Sequence, residues 1–162
     1  MSIQKVQEAL NSLVKLHEAL LEISREKTEV IKEGKVEKLQ AILVKERKRI
    51  RELEQAETAR IQTVEAFVKD HPSISDPSIT SLLEHLDKEE EKTELEASAI
   101  SLTEAITKLK QQEQLNQALI NQSMQFVQLS LDLMNPSLKN LNYGEGKAAS
   151  SAGKRSVFDS KA

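Results

Sequence analysis

Apolar side chains recur every three or four positions along most of the chain, which is the spacing of one face of an α-helix. The first such stripe extends from Ile3 to Ile31. Ser2 stands directly before it, where a hydroxyl is placed to cap a helix N-terminus. Gly34 follows it, and glycine is the usual residue for a helix C-cap and a tight reversal. The pattern predicts a first helix at 2–33.

The second stripe keeps heptad spacing and predicts a helix at 35–69. Its apolar positions are Val36, Leu39, Leu43, Ile50, Leu53, Val64 and Phe67. Glu46, Glu57 and Arg60 interrupt this seam at positions where apolar residues are expected.

Residues 70–77 contain two prolines and several side chains that favour turns, so a loop is predicted there. Asp76 before Pro77 has the form of an N-cap with proline at the first helical position. A third helical region is predicted at 77–135. The acidic stretch 87–92 interrupts its stripe, and a bend or break in the helix is considered at that place.

Pro136 ends the last stripe, and the residues after it are mostly Gly, Ser, Ala and Lys with little to bury. The predicted organisation is a helical domain at 1–135 and a flexible tail at 136–162. The fold class is all-α: an elongated antiparallel helical hairpin plus a third long helix in a coiled-coil-like bundle, with a disordered C-terminal tail.

Composition supports this class. About half of the 162 residues are Ala, Glu, Lys, Leu or Arg, as in long helices and coiled coils. Aromatic residues make up 2%, which argues against sandwiches and barrels. The four glycines are too few for a glycine-rich phosphate loop.

The end of the third helical region has an unusual composition. At 1.5 Å per residue, helices of roughly 35 residues are about 50 Å long, so the returning helix is expected to reach Gly34 near Glu113. Residues 114–134 are then left without an evident intrachain partner. Between 111 and 134 the only charges are Glu113 and Asp132, in a chain that is 30% charged. A helix this apolar needs a partner. The candidates are a second copy, a client helix, or the body of the same chain if the helix bends back.

The sequence contains little that indicates a catalytic site, a metal site or a cofactor site. His17, His71 and His85 have no helical spacing to one another, and the chain has no cysteine, so no metal site is predicted. No glycine loop, nucleophile elbow or Ser-His-Asp arrangement is present. The expectation is a non-enzymatic protein with no cofactor.

Charge and hydropathy restrict the partners. The net charge is −3, and glutamates interleave the single basic cluster at 45–51, so this cluster is expected to be a solvated helix face and not a nucleic-acid site. The N-terminus lacks the apolar centre of a signal peptide, and no run of about 18 apolar residues is present. The absence of cysteine fits a reducing cytoplasm.

Three features, in this order along the chain, resemble the FlgN-type flagellar export chaperones. The first is the helix–Gly–helix pattern at Lys32–Leu39. The second is Asn116–Ile120, which resembles the family's Asn-x-x-Leu-Leu segment in the last long helix. Members often carry another Asn three residues earlier, and this chain has Glu113 there.

The third feature lies in the tail. Pro136 ends the helix, and Tyr143 and Gly144 follow in a polar, Gly/Ser-rich stretch. In some family members the chain then ends in Phe-Asp-x-x-Ala, which matches Phe158–Ala162. The resemblance covers most of the chain.

The resemblance implies a cytoplasmic chaperone that is not an enzyme. Its clients would be the hook-associated proteins at the junction of flagellar hook and filament. It would bind their C-terminal helical segments, prevent premature assembly and deliver them to the cytoplasmic domain of the flagellar type III export gate. Contact with the membrane would arise only through the export apparatus.

The resemblance also places the two sites. It puts client binding on the last helix and docking on the export gate at Tyr143 and Gly144. Periodicity and the motif select the client-binding candidates, which are Asn116, Leu119, Ile120, Ser123, Phe126, Val127 and Met134.

Two alternatives remain open. The first is a coiled-coil adaptor without enzymatic activity that homodimerises through residues 95–134. The second is a helical signalling or DNA-associated protein that uses the basic cluster at 45–51.

Overall fold

A computed structural model describes residues 2–134 of the chain. Within that range the protein has four α-helices and no strand. The helices are α1 (Ile3–Glu33), α2 (Val36–Asp70), α3 (Ile79–His85) and α4 (Glu89–Met134). The all-α class is confirmed. The predicted tail at 136–162 lies outside the described residues.

The chain divides into two units, Met1–Leu119 and Ile120–Ala162. The first unit holds α1, α2, α3 and the first part of α4. The second unit is described from Ile120 to Met134, where it is helical.

Gly34 joins α1 and α2, as the sequence predicts. Its φ of 71° is left-handed, and its backbone N–H donates to the carbonyl oxygens of Val30 and Ile31 at 3.1 and 3.2 Å. A Cβ at this position would meet no atom within 4 Å. Glycine is therefore favoured here by its left-handed backbone conformation and not by a lack of space for a side chain. The reversal makes α1 and α2 antiparallel, and Lys27 of α1 reaches Glu46 of α2 at 2.6 Å.

The helical region predicted at 77–135, with a bend or break considered at 87–92, is two helices, α3 and α4, separated by residues 86–88. Glu89, Glu90 and Glu91 fall in the first turn of α4, where the helix dipole favours acidic side chains. The acidic stretch therefore begins a new helix and does not merely interrupt an existing one.

The N-cap predicted at Asp76 is wrong by two residues. Ser78 is the N-cap of α3, and its Oγ accepts a hydrogen bond from the backbone N–H of Ser81 at 3.2 Å. The Asp76 carboxylate accepts from the backbone N–H of Ser78 at 2.9 Å and from the Ser81 hydroxyl at 2.9 Å. Hydrogen bonds from the side chain and backbone of Ser78, and then from the Ser81 hydroxyl, lower the pKa of Asp76. Asp76 thus orders the turn that precedes the cap.

The apolar core of the first unit collects residues from every helix in it and from the loop after α2. Leu82 of α3 and Leu95 of α4 are fully buried there. The buried members are Val6, Leu10, Val64, Phe67, Ile74, Leu82, Leu86 and Leu95. The short helix α3 is therefore part of the core, although its seven residues are too few to be stable alone.

In the first unit, α4 runs parallel to α1. Near the start of both helices, Gln7 donates to the carbonyl oxygen of Glu94 at 3.1 Å, and Ser98 donates to Asn11 at 2.8 Å. Further along both helices, Ser24 donates to Glu113 at 2.8 Å. The residue numbers rise together in these pairs, so the returning helix lies alongside α1 in the same direction.

The expectation that the returning helix runs out of intrachain partners after Glu113 is wrong. Glu113 lies beside Ser24 and Lys27, and Asn116 is 1% exposed. The length argument failed because residues 71–88 form a loop, a short helix and a connection before α4 begins.

Candidate functional site

Residues 120–134 of α4, here named the apolar segment, present large apolar side chains to solvent. Phe126 is 70% exposed, Leu133 73% and Met134 77%. Val127, Leu129 and Leu131 are each more than half exposed. Asp132 is the only charged residue in the segment. Exposed apolar surface of this kind marks a binding surface more often than a solvated one.

Helical geometry sorts these side chains into two neighbouring stripes. Phe126, Leu129 and Leu133 form one stripe at i, i+3 and i+7. The other stripe is Ile120, Met124, Val127, Leu131 and Met134. Together they cover more than the narrow seam of a two-stranded coiled coil. The segment therefore offers a broad apolar face to a partner.

The predicted client-binding residues fall in both units. Ser123, Phe126, Val127 and Met134 lie exposed on the apolar segment, and Ile120 lies half-buried at its start. Leu119 is half-buried in the first unit, and Asn116 is buried there. Tyr143 and Gly144, predicted to dock on the export gate, lie outside the described residues.

Asn116 belongs to a network of polar side chains inside the first unit. Its Nδ2 donates to the carbonyl oxygen of Ser24 at 2.9 Å and to the Ser24 hydroxyl at 3.0 Å. The Thr28 hydroxyl donates to its Oδ1. Gln112 donates to Thr28 at 2.6 Å. Every one of these contacts joins α4 to α1.

Lys27 directly precedes Thr28 of this network in α1, and its side chain is only 7% exposed. Its Nζ donates to Glu46 of α2 at 2.6 Å and to Glu113 of α4 at 3.0 Å. Burial pulls the pKa of Lys27 down, but the hydrogen bonds and charges of the two glutamates outweigh burial and raise it. We name the combined set the polar layer. Its members are Ser24, Lys27, Thr28, Glu46, Gln112, Glu113 and Asn116.

Sequence reasoning missed the polar layer, although part of its signal was visible. Glu46 interrupts the seam of α2, and Glu113 and Asn116 interrupt the seam of α4. Lys27 pairs with both Glu46 and Glu113. It stands at a position of α1 where the three- and four-residue spacing of the stripe calls for an apolar residue. Polar residues that interrupt three seams at one level of a bundle indicate a buried polar layer.

The basic cluster at 45–51 carries ion pairs on the helix surface. Lys45 lies 3.9 Å from Glu26 of α1, and Arg49 lies 2.9 Å from Glu52. Each of these side chains is at least one-third exposed. The pairing agrees with a solvated, charge-balanced helix face.

Within residues 2–134 no three His, Cys, Asp or Glu side chains are grouped to hold a metal ion. None of the helices in that range has the length and apolar character needed to cross a bilayer.

The fold and site define an all-α protein with an exposed apolar helical segment. The model of one protein family, described as FlgN protein, matches residues 1–151, and the chain belongs to the FlgN family. This membership makes it a chaperone of flagellar biogenesis, in a generally non-enzymatic family whose members bind flagellar proteins.

The chain is also 37% identical over 164 residues to a protein of Bacillus subtilis (strain 168), described as uncharacterized protein YvyG. That alignment covers the whole length of both proteins. The comparison with solved structures gives no significant match.

Proposed function

We propose that this protein is a cytoplasmic export chaperone for the flagellar hook-associated proteins of the hook–filament junction. It binds their C-terminal helical segments on the apolar segment and so prevents premature assembly. It then delivers them to the cytoplasmic domain of the flagellar type III export gate. The observation that carries the proposal is the exposed apolar face of residues 120–134 in a chain of the FlgN family.

The physical basis is the pairing of amphipathic helices. A client helix that self-assembles has its own apolar stripe, and covering that stripe keeps the client soluble. Burial of each large apolar side chain contributes about 1.5–3 kcal/mol. Three such anchors contribute about 4.5–9 kcal/mol, which is comparable with the lower part of the roughly 4–15 kcal/mol that association costs. Phe126, Val127 and Met134 are the anchors we propose, because each is more than half exposed in this chain.

The remaining predicted residues have different surroundings. Ser123 lies exposed between the two stripes, and Ile120 begins one of them. The side-chain amide of Asn116 is already hydrogen-bonded to Ser24 and Thr28. We therefore propose that Asn116 stabilises the fold of the first unit and does not contact the client. Leu119 is half-buried in the same unit.

Docking on the export gate is proposed at Tyr143 and Gly144 on the family resemblance alone. A Tyr143→Ala variant is expected to keep its affinity for the client peptide and to lose affinity for the cytoplasmic domain of the gate. Equal loss of both affinities would contradict separate sites.

Isothermal titration calorimetry tests the client assignment. The full chain is titrated with a synthetic peptide of the C-terminal helical segment of a hook-associated protein from the same organism. We expect a saturable 1:1 complex with a negative heat-capacity change, since apolar surface is buried. Absence of binding by a chain with a normal helical circular dichroism spectrum would overturn the assignment.

In the alternative function, a homodimeric adaptor, the apolar segment would contact a second copy of the chain and not a client. Leu95, Ser98 and Ala105 are already buried in the first unit, so these three residues would not contribute to a dimer through 95–134. Sedimentation velocity separates the two proposals. A tight dimer that the client peptide does not dissociate would favour the adaptor, and a monomer that forms a 1:1 complex would favour the chaperone.

A further inference from the structure

A cavity of about 360 Å³ opens in the first unit. It lies where the start of α1, the end of α2 and the connection into α4 come together. Its volume is at the low end of the range of small-ligand sites. It suits one long side chain better than a nucleotide or a cofactor.

One wall of the cavity is built from three rings in fixed positions. Phe67 stacks on His71 with ring centroids 4.2 Å apart and an angle of 28° between the planes. His85 meets His71 edge-on, with centroids 5.1 Å apart. The Nδ1 of His71 lies 2.8 Å from the carbonyl oxygen of Phe67, which holds the imidazole in place. Phe67 is itself part of the core, so folding orients the whole wall.

Carboxylates dominate the charged lining. Asp87, Glu91 and Glu94 line the cavity, and Lys88 is the cation among the described lining residues. Lys88 lies 3.8 Å from Glu91, a long separation for an ion pair with a side chain that is 78% exposed. The lining therefore keeps an excess of negative charge.

We propose that this cavity binds an arginine side chain of a partner protein. The aliphatic stem of arginine fits the apolar lining at Ile3 and Leu86, as such stems do on apolar surface. Its planar guanidinium stacks on aromatic rings and pairs with carboxylates, whereas a lysine ammonium is a compact, strongly hydrated charge. Rings on one wall and carboxylates among the lining match the two properties of a guanidinium. The proposal does not depend on the client assignment.

Proton NMR of the histidine side chains in the full chain tests this inference directly. The probe is the peptide Ac-Gly-Arg-Gly-NH2, and the matched control peptide carries citrulline, which has nearly the same shape without the charge. We expect saturable shifts of the His71 and His85 Hε1 signals with the arginine peptide. His17 does not line the cavity, and its Nδ1 lies 2.8 Å from the carbonyl oxygen of Leu13, so its signal is an internal reference that should not move.

Three results would overturn the proposal: no saturable shift, an equal response to the citrulline peptide, or a His17 shift as large as those of His71 and His85. A lysine peptide and spermidine complete the comparison. If the lysine peptide or spermidine binds as tightly as the arginine peptide, the proposal is also overturned. The site would then recognise positive charge and not the guanidinium group.

Charge-removing variants locate the contact. Glu94→Gln and Asp87→Asn are each expected to weaken binding of the arginine peptide roughly threefold, as for a partly exposed ion pair. Glu96→Gln is the matched control, since Glu96 is exposed on α4 and does not line the cavity. Unchanged affinity in both lining variants, or an equal loss in Glu96→Gln, would contradict the assignment. Circular dichroism confirms that each variant is folded.

Discussion

The side-chain amide of Asn116 in α4 donates a hydrogen bond of 2.9 Å to the carbonyl oxygen of Ser24 in α1, across 92 positions of sequence. The same amide donates to the Ser24 hydroxyl, and its oxygen accepts from Thr28. An asparagine that would otherwise interrupt an apolar seam is thus satisfied by groups of another helix. Its bonding fixes which turn of α4 lies beside which turn of α1.

Replacing Asn116 with alanine should destabilise the first unit. The change removes the hydrogen bonds between the buried Asn116 amide and α1, each of which contributes about 0.5–1.5 kcal/mol. Urea unfolding followed by circular dichroism measures the loss. Gln114→Ala, at an exposed position two residues away, should change stability by less than about 0.5 kcal/mol. Equal effects of the two substitutions would show that the buried amide has no special role.

Replacing Lys27 with methionine should cost a similar amount. The variant leaves Glu46 and Glu113 without their common cation, and because Glu113 is 42% exposed, the loss of these charge-assisted hydrogen bonds costs about 1.5–3 kcal/mol. A triple variant that also replaces both glutamates with leucine should recover most of that loss, because apolar packing commonly substitutes for buried ions. The urea concentrations at the midpoints of unfolding of the single and triple variants measure this recovery of stability. A triple variant as unstable as the single one would contradict it.

The raised pKa of Lys27 predicts an alkaline effect on stability. A folded-state pKa above the ordinary 10.5 means that the ammonium stabilises the folded protein below that pH, and that this contribution disappears as pH rises through the folded value. The stability difference between the natural chain and Lys27→Met should therefore be constant near neutral pH and shrink above about pH 10.5. Unfolding by urea at intervals from pH 8 to 12 gives the curve. A difference that grows with pH would have the wrong sign.

Gly34→Ala should destabilise the hairpin of α1 and α2 by about 1 kcal/mol, because an alanine at a φ of 71° is strained. No atom lies within 4 Å of the added Cβ, so the cost is conformational and involves no clash. Gly34→Asn should cost less, since asparagine adopts the left-handed conformation more readily. Thermal unfolding ranks the three chains. Alanine as stable as glycine would contradict the conformational account.

Val127→Ser should weaken client binding roughly tenfold, which corresponds to the loss of one buried valine side chain. The matched control is Val44→Ser on α2, which removes an equally exposed valine from a surface given no role. Titration calorimetry with the same client peptide compares the two. A similar loss in both variants would indicate that no specific face of the protein binds the client.

Local patterns were sufficient for much of this fold. The stripe from Ile3 to Ile31 and the glycine after it predicted α1 and its C-cap, since helical periodicity and a left-handed cap are properties of neighbouring residues. The low charge and apolar character of residues 114–134 also followed from the sequence, but the sequence left open whether a second copy, a client helix or the body of the same chain covers the surface of that segment. Whether that surface holds a client stays a prediction.

Tertiary relationships were harder to predict. The seven residues of α3 owe their helix to burial of Leu82 in a core assembled from distant segments, which no local window contains. Lys27 was overlooked because its partners are 19 and 86 positions away. The extra length of the connection before Glu89 then shifted the register of α4, so contacts with α1 continue beyond Glu113 to Asn116.

The polar layer also has a consequence for the order of folding. The hairpin of α1 and α2 is made of contacts close in sequence and closes quickly, whereas α4 reaches α1 only after about 90 residues of intervening chain. Before α4 packs against α1, the face of α1 that it will cover exposes the polar side chains of Ser24, Lys27 and Thr28, which water solvates readily. A nascent hairpin with such a face has less exposed apolar surface through which to aggregate while the rest of the chain is synthesised.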